Sequence, residues 1–257
     1  MENEDWVTGK VGLNLGGKPL ELEMTVPAKP VKPQKMLPIF RQMSDAFVGL
    51  SEAAVADAGG SVSCRKGCAA CCRQAIPLAE IEAYRIAETV AAMPEPRRTE
   101  IKQRFETAWH HFADLQWFER LDESFKLSTE ERNKVVVEYF HEGIACPFLE
   151  DECCSIHLER PITCREYMVT SSAENCWQLA AETVRMVELS VKTADTVRKI
   201  TNSAALNSNP ANFVPLVLAL EWANRNADQF PEKTGEQWMA DFFRNLTKGE
   251  IPGKREE

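Results

Sequence analysis

The spacing of the cysteines restricts the fold of this chain more than any other feature of its sequence. Four cysteines fall within nine residues, Cys64–Cys72, in the pattern C-x3-C-x2-C-C. After a gap of 73 residues comes a second group, Cys146, Cys153, Cys154 and Cys164. Cys176 stands outside both groups. Clusters of this kind indicate a cysteine-rich metal or iron–sulfur site.

The chain does not depend on disulfides for a core. Its 257 residues, 44% of them hydrophobic, are enough to bury a full core, whereas disulfide scaffolds are typical of small secreted domains. The count of nine cysteines is odd, and the acidic residues 1–5 lack the basic and apolar regions of a secretory signal. We therefore expect a reducing, cytoplasmic setting in which clustered cysteines bind metal.

Net charge and hydropathy argue against two classes of partner. The charge of −9 and the pI near 5.2 disfavour nucleic acid and anionic membranes. The longest apolar segment, residues 213–220, falls well short of the roughly 20 residues of a membrane span. We expect no nucleic-acid or membrane partner, and an unidentified protein partner stays open.

Hydrophobic periodicity predicts a mainly α fold with a small N-terminal β-hairpin. Residues 6–26 alternate around Gly16-Gly17 in the manner of a hairpin. Predicted helices are 38–58 before Gly59-Gly60, one starting at Pro77, one from Pro96 to about Leu121, one from the capping box Ser128–Glu131 to near Gly143, 210–230 and 234–246. Residues 184–191 fit a further strand or a helix.

We expect three regions along the chain. Residues 1–37 hold the hairpin and a proline-rich linker, and residues 38–180 form a helical cysteine-cluster domain that binds metal. Residues 181–257 form a C-terminal strand and helical extension that packs on the same core.

Two conformations are open for the first cluster. In a helix, Cys64, Cys68 and the doublet would share one face, and Cys71 and Cys72 would differ by about 100°. In a loop, which Gly67 permits, Cys64, Cys68 and Cys71 would cup one ion. The doublet then either divides two metals between neighbouring thiolates or includes one cysteine that is not a ligand.

Cations flank both clusters and are expected to favour the thiolate form, although a solvated surface is the alternative. They are Arg65, Lys66, Arg73, Arg160 and Arg165. His157 is a further candidate ligand, but a lone histidine is more often a hydrogen-bonded neighbour. Cys176 either completes a site or simply packs. Buried free thiols are the alternative to metal binding.

Four motifs that appear in order resemble the CxxCxxCC cysteine-cluster family of YkgJ-like bacterial proteins, described as chelators of zinc or iron. They are C-x3-C-x2-C-C at Cys64, C-P-F-L at Cys146, C-S-I-H at Cys154 and R-P-I-T-C-R-E-Y from Arg160. The resemblance covers roughly residues 61–176. It implies a metal site formed by Cys64, Cys68, Cys71, Cys72, Cys146, Cys154 and Cys164.

Two positions depart from the family pattern. His157 stands where the family usually has tyrosine, and Cys153 lies at a position that usually varies. Cys153 is therefore a less certain ligand, together with Cys176 and His157.

Three functions compete. The first is a metal-binding protein that chelates zinc or iron, or a [4Fe-4S] cluster, since thiolates suit all of these. The second is an iron–sulfur enzyme of the radical SAM or protein-lysine methylase type. The spacing of Cys64, Cys68 and Cys71 matches the three-cysteine motif of radical SAM enzymes. However, Ala70 stands where that motif normally has an aromatic residue, and the chain lacks the repeated strand–helix alternation of the barrel that carries this chemistry. The third is a partner-binding assembly factor with structural metal and the hairpin as a docking arm.

Overall fold

The computed structural model describes residues 5–15, 18–178, 183–203, 206 and 212–246. Within these ranges the protein is mainly α-helical, as predicted, with an N-terminal hairpin and a few two-residue strands. Across the described residues, every helix is too short or too polar to cross a membrane.

The N-terminal hairpin is confirmed. Strand β1 (Trp6–Leu15) pairs antiparallel with β2 (Lys18–Pro27) in a register that places Val7 opposite Val26 and Leu13 opposite Leu20. Leu13 and Val26 are buried, so the alternation of the sequence aims one face of the ribbon at the core. The predicted turn at Gly16-Gly17 lies outside the described residues.

Ten α-helices are described, together with short 3-10 turns. They are α1 (Leu37–Asp57), α2 (Glu80–Ala91), α3 (Arg97–Asp114), α4 (Trp117–Glu123), α5 (Thr129–His141), α6 (Ile162–Glu166), α7 (Asn175–Gln178), α8 (Thr193–Thr201), α9 (Ala219–Arg225) and α10 (Gly235–Leu246). Four further two-residue strands are β3 (Pro77–Leu78), β4 (Leu149–Glu150), β5 (Cys153–Cys154) and β6 (Val214–Pro215).

Local signals placed several helix ends correctly. Helix α1 ends before Gly59, which takes a left-handed φ of 76°, and the amide of Gly60 donates to the carbonyl of Val55 at 2.9 Å. Helix α5 begins with the predicted capping box, because the amide of Glu131 donates to Ser128 Oγ and the Glu131 carboxylate accepts from the Ser128 amide.

Two predicted helices around α2 and α9 were too long. Pro77 does not start a helix, because Pro77–Leu78 pairs with Val214–Pro215 as the β3–β6 ladder. The predicted helix 210–230 is also shorter, because Val214 and Pro215 belong to this ladder, and the observed α-helix is α9, Ala219–Arg225. Position 210 lies outside the described residues. These pairings join distant parts of the chain, which local patterns do not reveal.

The predicted helix to Leu121 is interrupted. Helix α3 ends at Asp114, and Gln116 adopts a left-handed φ of 57° before α4 begins. The break leaves Leu115 half-exposed but buries Trp117 almost completely. Burial of the large indole offsets the backbone strain at Gln116.

Residues 184–191 are extended rather than helical. Met186 forms an isolated antiparallel bridge with Val169, and the amide of Val187 donates to the carbonyl of Met168 at 2.9 Å.

The described residues form four hydrophobic clusters, and the two largest differ in their relation to the cysteines. The first joins the hairpin, α1, α8 and α10 and includes the stacked rings of Phe40 and Phe242. The second joins α2 and α3 with Phe148, and Cys146 and Cys164 pack against it. The cysteine site therefore rests on the second core.

The hairpin is docked closely on α10. A Cβ atom at Gly235 would lie 2.5 Å from Cβ of Val26, so only glycine permits this approach. The following segment is also fixed, since Val31 and Lys233 exchange backbone hydrogen bonds. This packing weighs against the hairpin as a mobile docking arm.

Buried Glu82 connects α2 to α6. Its carboxylate accepts hydrogen bonds from the amide of Ala79 at 3.0 Å and from the amide of Ile162 at 2.8 Å. Both amides lie at helix starts, where backbone N–H groups have no partner within the helix. Glu82 therefore fixes the start of the helix that bears Cys164.

We expect Glu82→Ala to lower the free energy of unfolding by about 2–4 kcal/mol, because two buried amides lose their acceptors at about 1–3 kcal/mol each. The measurement is urea denaturation followed by circular dichroism. Glu88→Ala on the same helix is the control, since Glu88 is exposed and its carboxylate pairs with Arg85 at the surface, and we expect it to change stability by less than about 0.5 kcal/mol. Equal effects of the two variants would contradict the role of Glu82.

Candidate metal centre

The first cysteine cluster is a loop, not a helix. The amide of Cys68 donates to the carbonyl of Arg65 at 3.0 Å, which closes a turn with Gly67 at a φ of 81°. A single 3-10 turn, Ala70–Arg73, follows. Cys64 and Cys68 are therefore in a loop, as one of the two predictions has it, while Cys71 and Cys72 lie in the 3-10 turn.

The second cluster spans three different elements. Cys146 lies in the loop after α5, Cys154 lies on β5, and Cys164 lies in the middle of α6. The β4–β5 hairpin closes through Asp151 and Glu152, which take left-handed φ values of 47° and 55°. These values are those of a two-residue type I′ turn.

The backbone joins the two clusters directly. The amide of Cys146 donates to the carbonyl of Cys72 at 2.7 Å, which closes the 73-residue gap between the groups. A second link joins the start of the first cluster to the segment after α6, because the amide of Ser63 donates to the carbonyl of Val169 at 2.9 Å. Cysteines far apart in sequence therefore share one region.

Cys71 lies at the centre of this region. Hydrogen bonding to Cys72, together with burial, raises the pKa of Cys71. Burial also raises the pKa of thiols from both clusters, and the nearby Cys71 thiol adds to each of these shifts. The thiols concerned are Cys64, Cys146, Cys154, Cys164 and Cys176.

Cys176 is a neighbour of the first cluster. It is buried on α7, packs with Ala70, and burial raises its pKa to about 11, with contributions from Cys68, Cys64 and Cys71. Its position agrees with either of the roles considered for it, completion of the site or packing beneath it.

Cys153 faces away from Cys154. The two residues are adjacent on β5, and successive side chains on a strand point to opposite faces. The charge of Cys71 contributes to the raised pKa of Cys154, which places Cys154 in the shared region.

His157 is not brought to the thiols. It is exposed and lines a separate surface pocket with Arg41 and Asp45. The charges that act on its pKa are Arg160, which lowers it most, Arg165 and Asp45.

Of the flanking cations, Arg160 is the one that acts on several thiols. Its charge lowers the pKa of Cys64, Cys71 and Cys154, against the larger upward effect of burial. Its Nε is buried and has no hydrogen-bond partner within the described structure. An unpaired cation beside buried thiols favours their negative form.

The other four cations have different surroundings. Arg73 bonds to both carboxylate oxygens of Glu152 and stacks on Trp177 at 4.7 Å, and Arg165 pairs with Asp45. Arg65 and Lys66 are exposed at the tip of the loop. Sequence reasoning did not distinguish Arg160 from Arg165, because both are arginines within four residues of Cys164.

All nine cysteines are free thiols. Within the described ranges, no three histidine, cysteine or carboxylate side chains already form a compact set of metal ligands. The structure thus brings the two cysteine clusters next to each other without forming a coordination sphere among the described residues. The donors in that region are soft sulfur ligands, which fit zinc and iron.

One comparison with known proteins identifies a domain in the chain. Residues 63–185 match the model of the CxxCxxCC family, described as "Putative zinc- or iron-chelating domain". The match includes both cysteine clusters and Cys176, and it confirms the resemblance predicted from the motifs. No curated protein and no solved structure matches the chain.

Proposed function

We propose that this protein binds zinc or iron through thiolates gathered around Cys71, because residues 63–185 match the model of the CxxCxxCC domain. The proposed ligands are Cys64, Cys68, Cys71, Cys72, Cys146, Cys154 and Cys164. The observation that supports this set best is the hydrogen bond from the Cys146 amide to the Cys72 carbonyl, because it joins the two clusters. We also propose a reducing, cytoplasmic setting, which would keep the thiols free.

The charges around the thiols suit the binding of a metal cation. Burial raises the pKa of Cys146 to about 12 and that of Cys164 well above its usual value, so these thiols are neutral without a cation nearby. A bound metal cation would supply the positive charge that stabilises the thiolates. Arg160 adds a second positive charge at the same place, which compensates the excess negative charge of a thiolate-rich site.

The seven proposed thiols exceed the four ligands of one tetrahedral zinc site. The set therefore suits two ions or a cluster with additional thiols beside it. Both members of the doublet are proposed for the same region, since the Cys71 and Cys72 side chains are hydrogen-bonded to each other within the 3-10 turn.

The iron–sulfur enzyme alternative has less support from the fold. In the described ranges the strands other than the hairpin are two residues long and antiparallel, which is not the strand–helix alternation that radical SAM chemistry usually accompanies.

The test of the proposed function is metal analysis of full-length protein purified without oxygen, together with its visible absorption spectrum. Stoichiometric zinc in a colourless protein would establish zinc binding. A brown protein with iron and sulfide would establish an iron–sulfur centre. Absence of stoichiometric metal after reconstitution with either element would refute the proposal.

We expect Arg160→Gln to weaken metal binding about tenfold or more, since outer groups that stabilise metal ligands are typically worth 10–100-fold in affinity. Competition with a chromophoric chelator measures this effect. Arg65→Gln is the matched control, because it removes one positive charge from the exposed loop tip. Similar affinities for the two variants would show that Arg160 does not act on the site.

A further inference from the structure

A second site lies beside the thiol region, at the start of α1. It is a pocket of about 550 Å³ between α1, α2 and the 3-10 turn that contains His157 and Leu158. A volume in this range is typical of small-molecule sites. None of its lining residues is a cysteine, so the pocket is separate from the proposed metal ligands.

The two carboxylates that line the pocket are each paired with an arginine, and further positive side chains line it as well. Arg165 donates to both oxygens of Asp45, at 2.9 and 2.8 Å, and Arg85 donates to Glu159 at 3.0 Å. Both carboxylates that line the pocket are therefore already engaged by an arginine. Arg41 also lines the pocket, and its guanidinium is hydrogen-bonded to neither of these carboxylates.

Arg41 has an unused buried donor. Its Nε is buried and has no hydrogen-bond partner among the residues that the structure describes. Burial lowers the pKa of Arg41. The charges of Glu82 and Glu159 oppose this shift, and the smaller effects of Arg165 and Arg85 add to it. A buried guanidinium donor without an acceptor is unfavourable in the protein alone and becomes favourable when an anion supplies the acceptor.

Glu82 does not provide that acceptor. Its charge does act on Arg41, but no hydrogen bond joins the two side chains, and the Glu82 carboxylate already accepts the amides of Ala79 and Ile162. The Arg41 side chain therefore lines the pocket with a guanidinium whose Nε has no hydrogen-bonded acceptor among the described residues.

We propose that this pocket binds a small molecule that bears a carboxylate or a phosphate, with Arg41 as its principal receptor. The planar fork of a guanidinium matches two oxygens of either group. Lys35, exposed at the mouth of the pocket, adds a second positive charge. Leu37, Pro38 and the 86%-exposed Leu158 offer apolar contacts to the rest of the ligand. This site does not depend on the identity of the metal.

The test is isothermal titration calorimetry of the full-length protein, as purified, with inorganic phosphate and with succinate in separate experiments. We expect saturable binding of at least one of them. Binding of phosphate alone would assign a phosphate-bearing ligand, and binding of succinate alone a carboxylate-bearing one. Absence of saturable binding of both would overturn the proposal.

Variants connect the binding to Arg41. We expect Arg41→Gln to weaken binding about tenfold or more, because a hydrogen bond to a charged group is lost. Arg244→Gln is the matched control, since it removes one positive charge from an exposed position of α10 outside the pocket, and we expect it to bind like the wild type. Arg41→Lys keeps the charge without the fork and should bind with intermediate affinity. Unchanged affinity in a folded Arg41→Gln protein would overturn the assignment.

Discussion

Replacement of Cys71 by serine is expected to remove most of the bound metal and to lower the thermal midpoint by about 10 °C. Cys71 is the thiol that neighbours members of both clusters, so its loss affects the whole set of proposed ligands. A ligand at a thousand times its dissociation constant stabilises a protein by about 4 kcal/mol, and 1 kcal/mol shifts the midpoint of a domain this large by about 2–4 °C. Metal analysis and thermal denaturation of the same sample measure the two effects.

Cys153→Ser is the matched control for this experiment. Cys153 is adjacent to Cys154 on β5, but it points to the other face of the strand. We expect Cys153→Ser to retain its metal and its thermal midpoint. Retention of metal by Cys71→Ser, or equal loss in both variants, would contradict the arrangement of ligands around Cys71.

Removal of the metal from the wild-type protein is expected to loosen one part of the fold and leave another intact. The core formed by the hairpin, α1, α8 and α10 contains no cysteine. The second core borders Cys146 and Cys164, and Cys176 lies in a smaller cluster with Phe140 and Val169. Metal binding stabilises the structure that presents its ligands, so the effect should be confined to the elements around the thiols.

Hydrogen exchange before and after chelation under reducing conditions measures this difference. We expect the amides of residues 61–73 and 144–166 to lose protection, and those of α1 and α10 to keep it. Addition of the metal should restore the original pattern. Uniform loss of protection along the chain, or none, would show that the site and the second core are not coupled in this way.

The parts of the fold that could be predicted from the sequence depend on neighbouring residues. The capping box at Ser128 and the glycine after α1 act through hydrogen bonds within one turn, so their residue types are sufficient signals. The alternation of β2 likewise specified the hairpin and its buried face. The similarity to the CxxCxxCC model could be predicted because the motifs that carry it are short segments in a fixed order.

The parts that could not be predicted depend on contacts between distant residues. Pro77 has the appearance of a first helical residue until it pairs with Pro215, and nothing local marks Gln116 as left-handed. Arg160 and Arg165 look equivalent in sequence, yet one acts on the thiols and the other pairs with Asp45. His157 follows Cys154 closely but lines the pocket of Arg41, because the 3-10 turn directs it away.

The hydrogen bond between Cys146 and Cys72 has a consequence for the order of events during biosynthesis. The first cluster leaves the ribosome well before Cys146, and α2 to α5 lie between them. A nascent chain therefore exposes Cys64–Cys72 for the whole time that these four helices are being made. Complete assembly of the proposed ligand set must wait until Cys164 has emerged, so metal acquisition and protection of the early thiols are separate steps in the life of each molecule.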